Sequence, residues 1–227
     1  MSAGALLAEM DRHGVQRAVV SAAGEFAAYY VRDGNTEIEQ LVSSHSDRFV
    51  GFCTVNPWMR SAAIDEVHRA SDRAAAGVVL HPLIHGFEAN DPLAFPVIEA
   101  AIVRKLIVYV TAGTPIVAMP YKVADLAMRY PECPFVLGHA GWDFHFDVLY
   151  CLQACSNLWA ETSKNELCNL EAIVRAVGTD RLLFGSDYPF SSYESEIAKI
   201  RLLPDLTERD VQQILCGNAM RLLDRTN

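Results

Sequence analysis

Seven short runs of apolar, mostly β-branched residues recur along the chain, and a stretch of helical periodicity separates most of them. The runs are the length of buried parallel strands, whereas the intervening stretches space their apolar residues as helices do. Repeated strand–helix units predict a parallel sheet, because each right-handed crossover returns the chain to the same edge. The predicted strands cover residues 15–22, 49–57, 77–82, 106–113, 135–141, 158–163 and 182–189.

This alternation predicts an α/β fold, a (β/α) barrel of the TIM type, rather than a doubly wound sheet. No Gly-x-Gly-x-x-Gly motif follows the first predicted strand, which argues against a dinucleotide-binding domain. A TIM barrel has eight strands, whereas this sequence shows seven and opens on a predicted helix over residues 3–13. We therefore expect one barrel domain over residues 1–227 that lacks the first strand.

Further helices are predicted between and after the strands. The last of them begins with Thr207, and Asp210 three residues later suggests a capping box. Residues 143–155 fit neither a strand nor a helix clearly. The predicted ranges are 35–46, 60–75, 91–104, 119–130, 166–177, 194–202 and 207–224.

Composition excludes several classes of function. The net charge of −9 comes without a basic cluster, so nucleic acid is not an expected partner. No apolar run reaches the ~20 residues that cross a bilayer, and the charged N-terminal segment is unlike a signal peptide. The six cysteines have neither disulfide nor zinc-site spacing, which predicts reduced thiols and a cytoplasmic location. Nucleophile-elbow and Walker motifs do not occur.

Polar residues at the ends of the predicted strands are the candidates for chemistry, because barrel strands converge there on one pocket. His139 lies in a glycine-flanked turn that a ligand can approach, and Asp187 ends an apolar strand, where a carboxylate needs a partner. His81 is either catalytic or bonded to a loop backbone. Side chains alternate along a strand, so the sequence leaves open whether Glu161 or Thr162 faces the pocket. The candidates are Asn56, His81, Thr111, His139, Glu161 or Thr162, and Asp187.

Five segments carry a resemblance to a known family: DRFVGFCTVNPW, GVVLHPLIHGF, FVLGHAGW, DRLLFGSDYPF and ILCGNAMRLL. In this order they resemble the amidohydrolase-related family of the amidohydrolase superfamily, whose members include decarboxylases and lactonases. The resemblance runs from about Leu6 to near the end of the chain. It implies a (β/α)8 barrel with a divalent metal, often zinc, at the carboxyl ends of the strands.

The resemblance also implies a ligand set. Family members use a His-x-His pair on the first strand, a histidine ending the fifth and an aspartate on the eighth, with a further histidine on the sixth. By match, His139 is the sixth-strand histidine and Asp187 the eighth-strand aspartate. Thr111 stands at the fifth-strand histidine position, and no first-strand pair is present. With three imidazoles missing, we expect His139 and Asp187 to bind a metal weakly, if at all.

The resulting hypothesis is an amidohydrolase-like enzyme, a hydrolase or carboxy-lyase, acting on a small carboxylate, lactone or phenolic acid. His139 would be its general acid/base, with Asp187 and His81 as further catalytic groups. Thr111, Asn56 and Glu161 would bind substrate.

Two alternatives remain open at this point. One is a non-catalytic or subunit-type relative that retains the barrel scaffold. The other is an ordinary metal-dependent hydrolase whose first strand is missing from this chain. A sheet with two free edges also predicts a homo-oligomer, most simply a dimer that covers them.

Overall fold

All seven strands of the structure are parallel and lie in one curled sheet in chain order. The structure is a computed structural model, and it describes residues 2–224. Each strand pairs with the next along the chain, and within the described residues the first and last strands do not pair with each other. The strands are β1 (Ala18–Val20), β2 (Phe49–Thr54), β3 (Gly77–Leu80), β4 (Ile107–Val110), β5 (Phe135–Leu137), β6 (Leu158–Glu161) and β7 (Leu182–Leu183). The expectation of seven parallel strands is confirmed.

Helices connect the strands on the outer face of the sheet. The unclear segment 143–155 proves to be a helix, and two short helices follow β1 and β3 where none was predicted. The helices are α1 (Ala3–Arg12), α2 (Glu25–Ala28), α3 (Val31–Ser44), α4 (Ser61–Ser71), α5 (Pro82–His85), α6 (Phe95–Val103), α7 (Pro120–Arg129), α8 (His145–Ala154), α9 (Leu167–Val177), α10 (Tyr193–Leu202), α11 (Glu208–Gln212) and α12 (Asn218–Leu223).

All seven predicted strands are longer than the observed ones, and in two of them the structure shows why the strand ends early. The strand predicted over 182–189 ends at Leu183, because the amide of Phe184 bonds to the carbonyl of Ile214 instead of to a neighbouring strand. The strand predicted over 135–141 ends at Leu137, because the backbone turns into the left-handed region at His139. The capping box at Thr207 is confirmed, and a π-helical turn over Gln213–Gly217 joins α11 to α12.

The inner face of the sheet carries an apolar cluster to which each strand from β2 to β7 contributes one buried residue. Its strand members come from β2 to β7, and Leu222 of α12 packs against them. Asn218 of α12 donates hydrogen bonds to the carbonyls of Thr179 and Leu182, which places this helix at the amino end of β7. One end of the curled sheet is therefore apolar and covered, and polar residues collect at the other. The inner strand residues are Phe52, Val79, Ile107, Val136, Trp159 and Leu183.

The edge of the sheet at β1 is less protected than its centre. Val19 is in register with Val50 of β2, yet its side chain is 46% exposed. On the other side of β1, Leu6 and Met10 of α1 join a buried cluster with Phe49 and with Tyr193 of α10. Within residues 2–224, no helix is both long and apolar enough to cross a membrane.

Candidate active site

The candidate site lies at the carboxyl ends of β3 to β7. His81, Thr111, His139 and Asp187 follow β3, β4, β5 and β7, and Glu161 is the last residue of β6. Several non-glycine residues after these strands have positive φ angles, among them His139 (55°), Lys164 (57°) and Asp187 (45°). Such conformations cost about 1–3 kcal/mol each and persist only where the surrounding structure imposes them. Their concentration at one edge of the sheet is typical of a functional site.

Glu161 is the centre of the hydrogen-bonding network. Its carboxylate accepts hydrogen bonds from the Tyr109 hydroxyl (2.8 Å), the amide (2.6 Å) and hydroxyl (3.0 Å) of Ser163, and the His139 amide (3.1 Å). Burial and the Glu161 charge raise the pKa of Tyr109 well above its usual value, so this hydroxyl remains a donor. Both oxygens of this buried carboxylate are therefore occupied.

Two glycines make room for this network. A β-carbon at Gly185 would lie 1.7 Å from Oε1 of Glu161, and one at Gly138 would lie 2.5 Å from the hydroxyl of Tyr109. Real β-carbons do not approach other atoms so closely. The glycine before Ser186 and Asp187 in the GSDYP segment is therefore required by the position of the Glu161 carboxylate.

Ser163 favours one tautomer of the neutral His139 ring. Its hydroxyl has one proton, which it donates to Glu161, so it can only accept the hydrogen bond that joins it to Nδ1 of His139 at 2.9 Å. His139 therefore carries its proton on Nδ1 when neutral, and Nε2 has a free lone pair. Oε2 of Glu161 is 3.8 Å from Nδ1.

Asp187 pairs with a lysine that was not among the predicted site residues. Its Oδ2 lies 3.2 Å from Nζ of Lys164. The Lys164 ammonium is also 5.5 Å from the ring centre of Trp142 and 5.9 Å from that of Phe190. These distances are within the range of cation–π contacts.

The β3 and β4 side of the site is neutral. Nδ1 of His81 is 2.8 Å from the Thr111 hydroxyl, and its Nε2 is buried without a hydrogen-bond partner among the described residues. Burial, followed by the proximity of His85 and His139, lowers the pKa of His81 to about 4. Nε2 of His85 donates to the carbonyl of Ala27 at 2.9 Å, and burial also lowers the pKa of His85. Both rings are neutral near pH 7.

The structure brings some predicted site residues together and leaves one apart. His139 contacts Glu161 through its amide, and His81 contacts Thr111. Glu161 belongs to the network, whereas Thr162 is buried beside it. The side chain of Asn56 accepts a hydrogen bond from the Trp58 amide (3.1 Å) and caps the short 3-10 helix that follows β2.

Sequence reasoning missed Tyr109, Ser163 and Lys164. Tyr109 is two residues before Thr111, and Ser163 is two residues after Glu161. Alternate residues of an extended chain share a face, so this spacing was the signal that could have found two of them. Lys164 has no such signal, because its direction depends on a left-handed backbone.

The residues present can be tested against the metal that the family resemblance implies. Within residues 2–224, no group of three or more His, Cys, Asp or Glu side chains is placed to hold one ion. Nε2 of His139 is free, whereas Glu161 accepts four hydrogen bonds and Asp187 pairs with Lys164. Catalytic zinc sites take three protein ligands, so the described donors do not by themselves fit a resident divalent metal.

Comparison with known proteins identifies the family. The family model described as Amidohydrolase matches residues 2–225, so the chain belongs to the amidohydrolase family. A curated relative, 2-amino-3-carboxymuconate-6-semialdehyde decarboxylase of Caenorhabditis elegans, is 26% identical over 104 residues. That match covers 42% of this chain and only 25% of the relative, so the chain spans a quarter of its length.

Solved structures share the fold. A TIM-barrel protein of Bordetella bronchiseptica has a TM-score of 0.85 at 18% identity, covering 99% of this chain and 83% of that one. 5-Carboxyvanillate decarboxylase of Sphingomonas paucimobilis has a TM-score of 0.76 at 21% identity, and the match covers 99% of this chain and 83% of that one. 5-Carboxyvanillate decarboxylase of Novosphingobium aromaticivorans, solved with manganese, has a TM-score of 0.81 at 15% identity, and the match covers 99% of this chain and 81% of that one. At these identities the likeness establishes the barrel fold.

Proposed function

We propose that this chain is a carboxy-lyase of the amidohydrolase family that removes carbon dioxide from a small hydroxylated carboxylic acid by acid/base catalysis. The observation that carries the proposal is the Glu161–Ser163–His139 arrangement, which leaves Nε2 of His139 free as a base at the carboxyl ends of the strands. Decarboxylation is favoured over hydrolysis because the similar proteins with described reactions are decarboxylases.

Decarboxylation of a hydroxylated acid requires a proton at the carbon that bears the carboxylate. Nε2 of His139 takes the proton of a substrate hydroxyl, and the imidazolium then delivers that proton to the carbon. The carbon–carbon bond to the carboxylate then breaks and carbon dioxide leaves. The electron pair of that bond stays with the substrate and restores its conjugated system. Solvent returns one proton to the product oxygen, so each turnover consumes one proton and releases one carbon dioxide.

The remaining polar residues have supporting roles. Glu161 lies 3.8 Å from Nδ1 of His139 and offsets the positive charge of its imidazolium state. His81 remains neutral at pH 7 because its pKa is lowered to about 4, so it serves as a hydrogen-bonding group for substrate oxygen. Thr111 holds the His81 ring at 2.8 Å.

The test compares three histidine variants on 2,6-dihydroxybenzoate and 5-carboxyvanillate, with carbon dioxide release as the readout. His139→Gln should lower kcat at least about 100-fold, the scale of general acid–base catalysis. His81→Gln should lower it about tenfold, the effect of one lost hydrogen bond. The control is His45→Gln, because His45 follows α3 at the opposite end of the sheet.

Two results would contradict this function. One is a His139→Gln protein that turns over substrate at the wild-type rate. The other is a wild-type protein that decarboxylates no member of a panel of hydroxylated aromatic acids. Elemental mass spectrometry of the same samples, before and after chelation, shows whether turnover depends on a metal. We expect the rate to be independent of metal content.

A further inference from the structure

Lys164 has a position in the site that the proton transfer at His139 does not explain. It pairs with Asp187 at 3.2 Å, yet its side chain is still 33% exposed. An ammonium group has three N–H donors, and Asp187 is the described residue that pairs with them. At least two donors therefore remain for a ligand at this edge of the sheet.

The segment around Lys164 is held rigidly. Ser163 on one side bonds to Glu161 and His139. Asn165 on the other side donates its amide group to the carbonyls of His139 (2.9 Å), Ala140 (2.9 Å) and Trp142 (3.2 Å). The backbone amide of Lys164 itself bonds to Glu196 at 3.3 Å. These contacts hold the backbone at Lys164, where φ is positive, next to the loop that carries Trp142.

Two aromatic rings flank this cation and remain partly open to solvent. Trp142 is 39% exposed and Phe190 is 64% exposed, and both lie within 6 Å of Nζ. Exposed aromatic rings around a fixed cation form a surface for a planar anion, because the rings contact its faces while the ammonium binds its charge. The loops after β5, β6 and β7 each contribute one part of this surface.

We propose that Lys164 binds the carboxylate of the substrate, with Trp142 and Phe190 as the flanking rings. This inference rests on the proposed function, since it assigns the anchor for the acid group that is lost. The incoming carboxylate competes with Asp187 for Nζ. The product of a monocarboxylic acid such as 2,6-dihydroxybenzoate has no carboxylate, so for such a substrate the same contact favours binding of substrate over product.

The contact is a ground-state contact, because the carboxylate loses its charge as carbon dioxide forms. Removing it should therefore raise the Kd and KM for the acid more than it lowers kcat. A residue that only supported the fold would instead weaken binding of substrate and product alike. The difference between an acid and its decarboxylated product thus separates the two roles.

The experiment measures the Kd of 2,6-dihydroxybenzoate and of resorcinol by isothermal titration calorimetry. Lys164→Met should weaken binding of the acid about tenfold, the effect of one charge-assisted contact, and leave resorcinol binding unchanged. Lys164→Arg should retain most of the affinity, and Lys164→Gln provides a second neutral variant. Lys105→Met is the matched control, because Lys105 is an exposed lysine before β4 at the opposite end of the sheet.

Unchanged affinity of Lys164→Met for the acid would overturn the inference, as would equal weakening of both ligands or no acid binding by the wild type. Because binding is measured without turnover, the two proposals fail separately. A wild-type preference for the acid that disappears in Lys164→Met supports the anchor even if no decarboxylation occurs. Decarboxylation that is insensitive to Lys164→Met, with unchanged Kd, refutes the anchor alone.

Discussion

The two sides of the candidate active site treat their polar groups in opposite ways. On the β3–β4 side, His81 and His85 are neutral, and each has a buried ring nitrogen without a partner among the described residues. On the β5–β7 side, the buried Glu161 accepts four hydrogen bonds, and His139 is joined to it through Ser163. On the β3–β4 side the free-energy cost of burial is kept low because the imidazoles are neutral. On the β5–β7 side it is kept low because hydrogen bonds stabilise the carboxylate charge.

This difference indicates where proton transfer can occur. A buried imidazole with a pKa of about 4 stays neutral and is poorly suited to carry a proton at pH 7. An imidazole that faces a carboxylate through a hydroxyl can accept a proton and have the new charge stabilised. The positive φ angles of His139, Lys164 and Asp187 are also all on the β5–β7 side.

The largest expected effect comes from a methyl group placed against the charged side. Gly185→Ala puts a β-carbon 1.7 Å from Oε1 of Glu161, so the carboxylate must move and release its donors. We expect a loss of about 4 kcal/mol in the free energy of unfolding, combining overpacking with broken buried hydrogen bonds. Urea denaturation measures it.

The control for this substitution is Gly4→Ala. Gly4 lies in α1, and a β-carbon there would meet no atom within 4 Å. Alanine is the better helix former by about 0.5–1 kcal/mol, so this variant should be as stable as the wild type or slightly more stable. Equal stability of the two variants would show that Glu161 does not occupy the place beside Gly185.

A pH-dependent effect is expected from the neutral side. Because the pKa of His81 falls from 6.5 to about 4 on folding, the unfolded chain binds a proton between these values that the native state does not. Stability should therefore be fully present above pH 6.5 and fall as the pH is lowered toward 4. The His81 contribution to this fall is about 3 kcal/mol at most.

The measurement is the free energy of unfolding at pH 7.5 and pH 4.5, for the wild type and for His81→Gln. The hydrogen bond to Thr111 is lost at both pH values, so the difference between them isolates the titration of His81. We expect a smaller fall in the variant than in the wild type. Equal falls would contradict the buried, neutral state of His81.

Much of the fold could be predicted from the sequence because strand and helix periodicities are local properties. The residues at which strands end were harder to predict. His139 and Asp187 adopt left-handed conformations that are uncommon for residues other than glycine, so the sequence pattern did not place the turns. The contacts of Glu161 likewise depend on Tyr109, which is distant in the chain, and on the space left by Gly185.

The candidate residues at strand ends were found from sequence because polar groups there interrupt apolar runs. Their partners were harder to find. Ser163 and Tyr109 resemble ordinary strand residues, and Lys164 resembles a solvated lysine, until the structure places them beside His139, Glu161 and Asp187. Residue type and spacing identify which groups can react. Which groups hydrogen-bond to one another, and therefore which tautomer of His139 is favoured, is known only from the structure.

The most direct test of the account is the tautomer of His139 in the resting protein. Nitrogen-15 NMR of histidine-labelled protein at pH 8, assigned by His139→Gln, reports which ring nitrogen carries the proton. The Glu161–Ser163 hydrogen bonds predict a proton on Nδ1 and a free Nε2, and Ser163→Ala should remove this preference. A resting His139 with its proton on Nε2 would contradict the proposed role of this residue as the base.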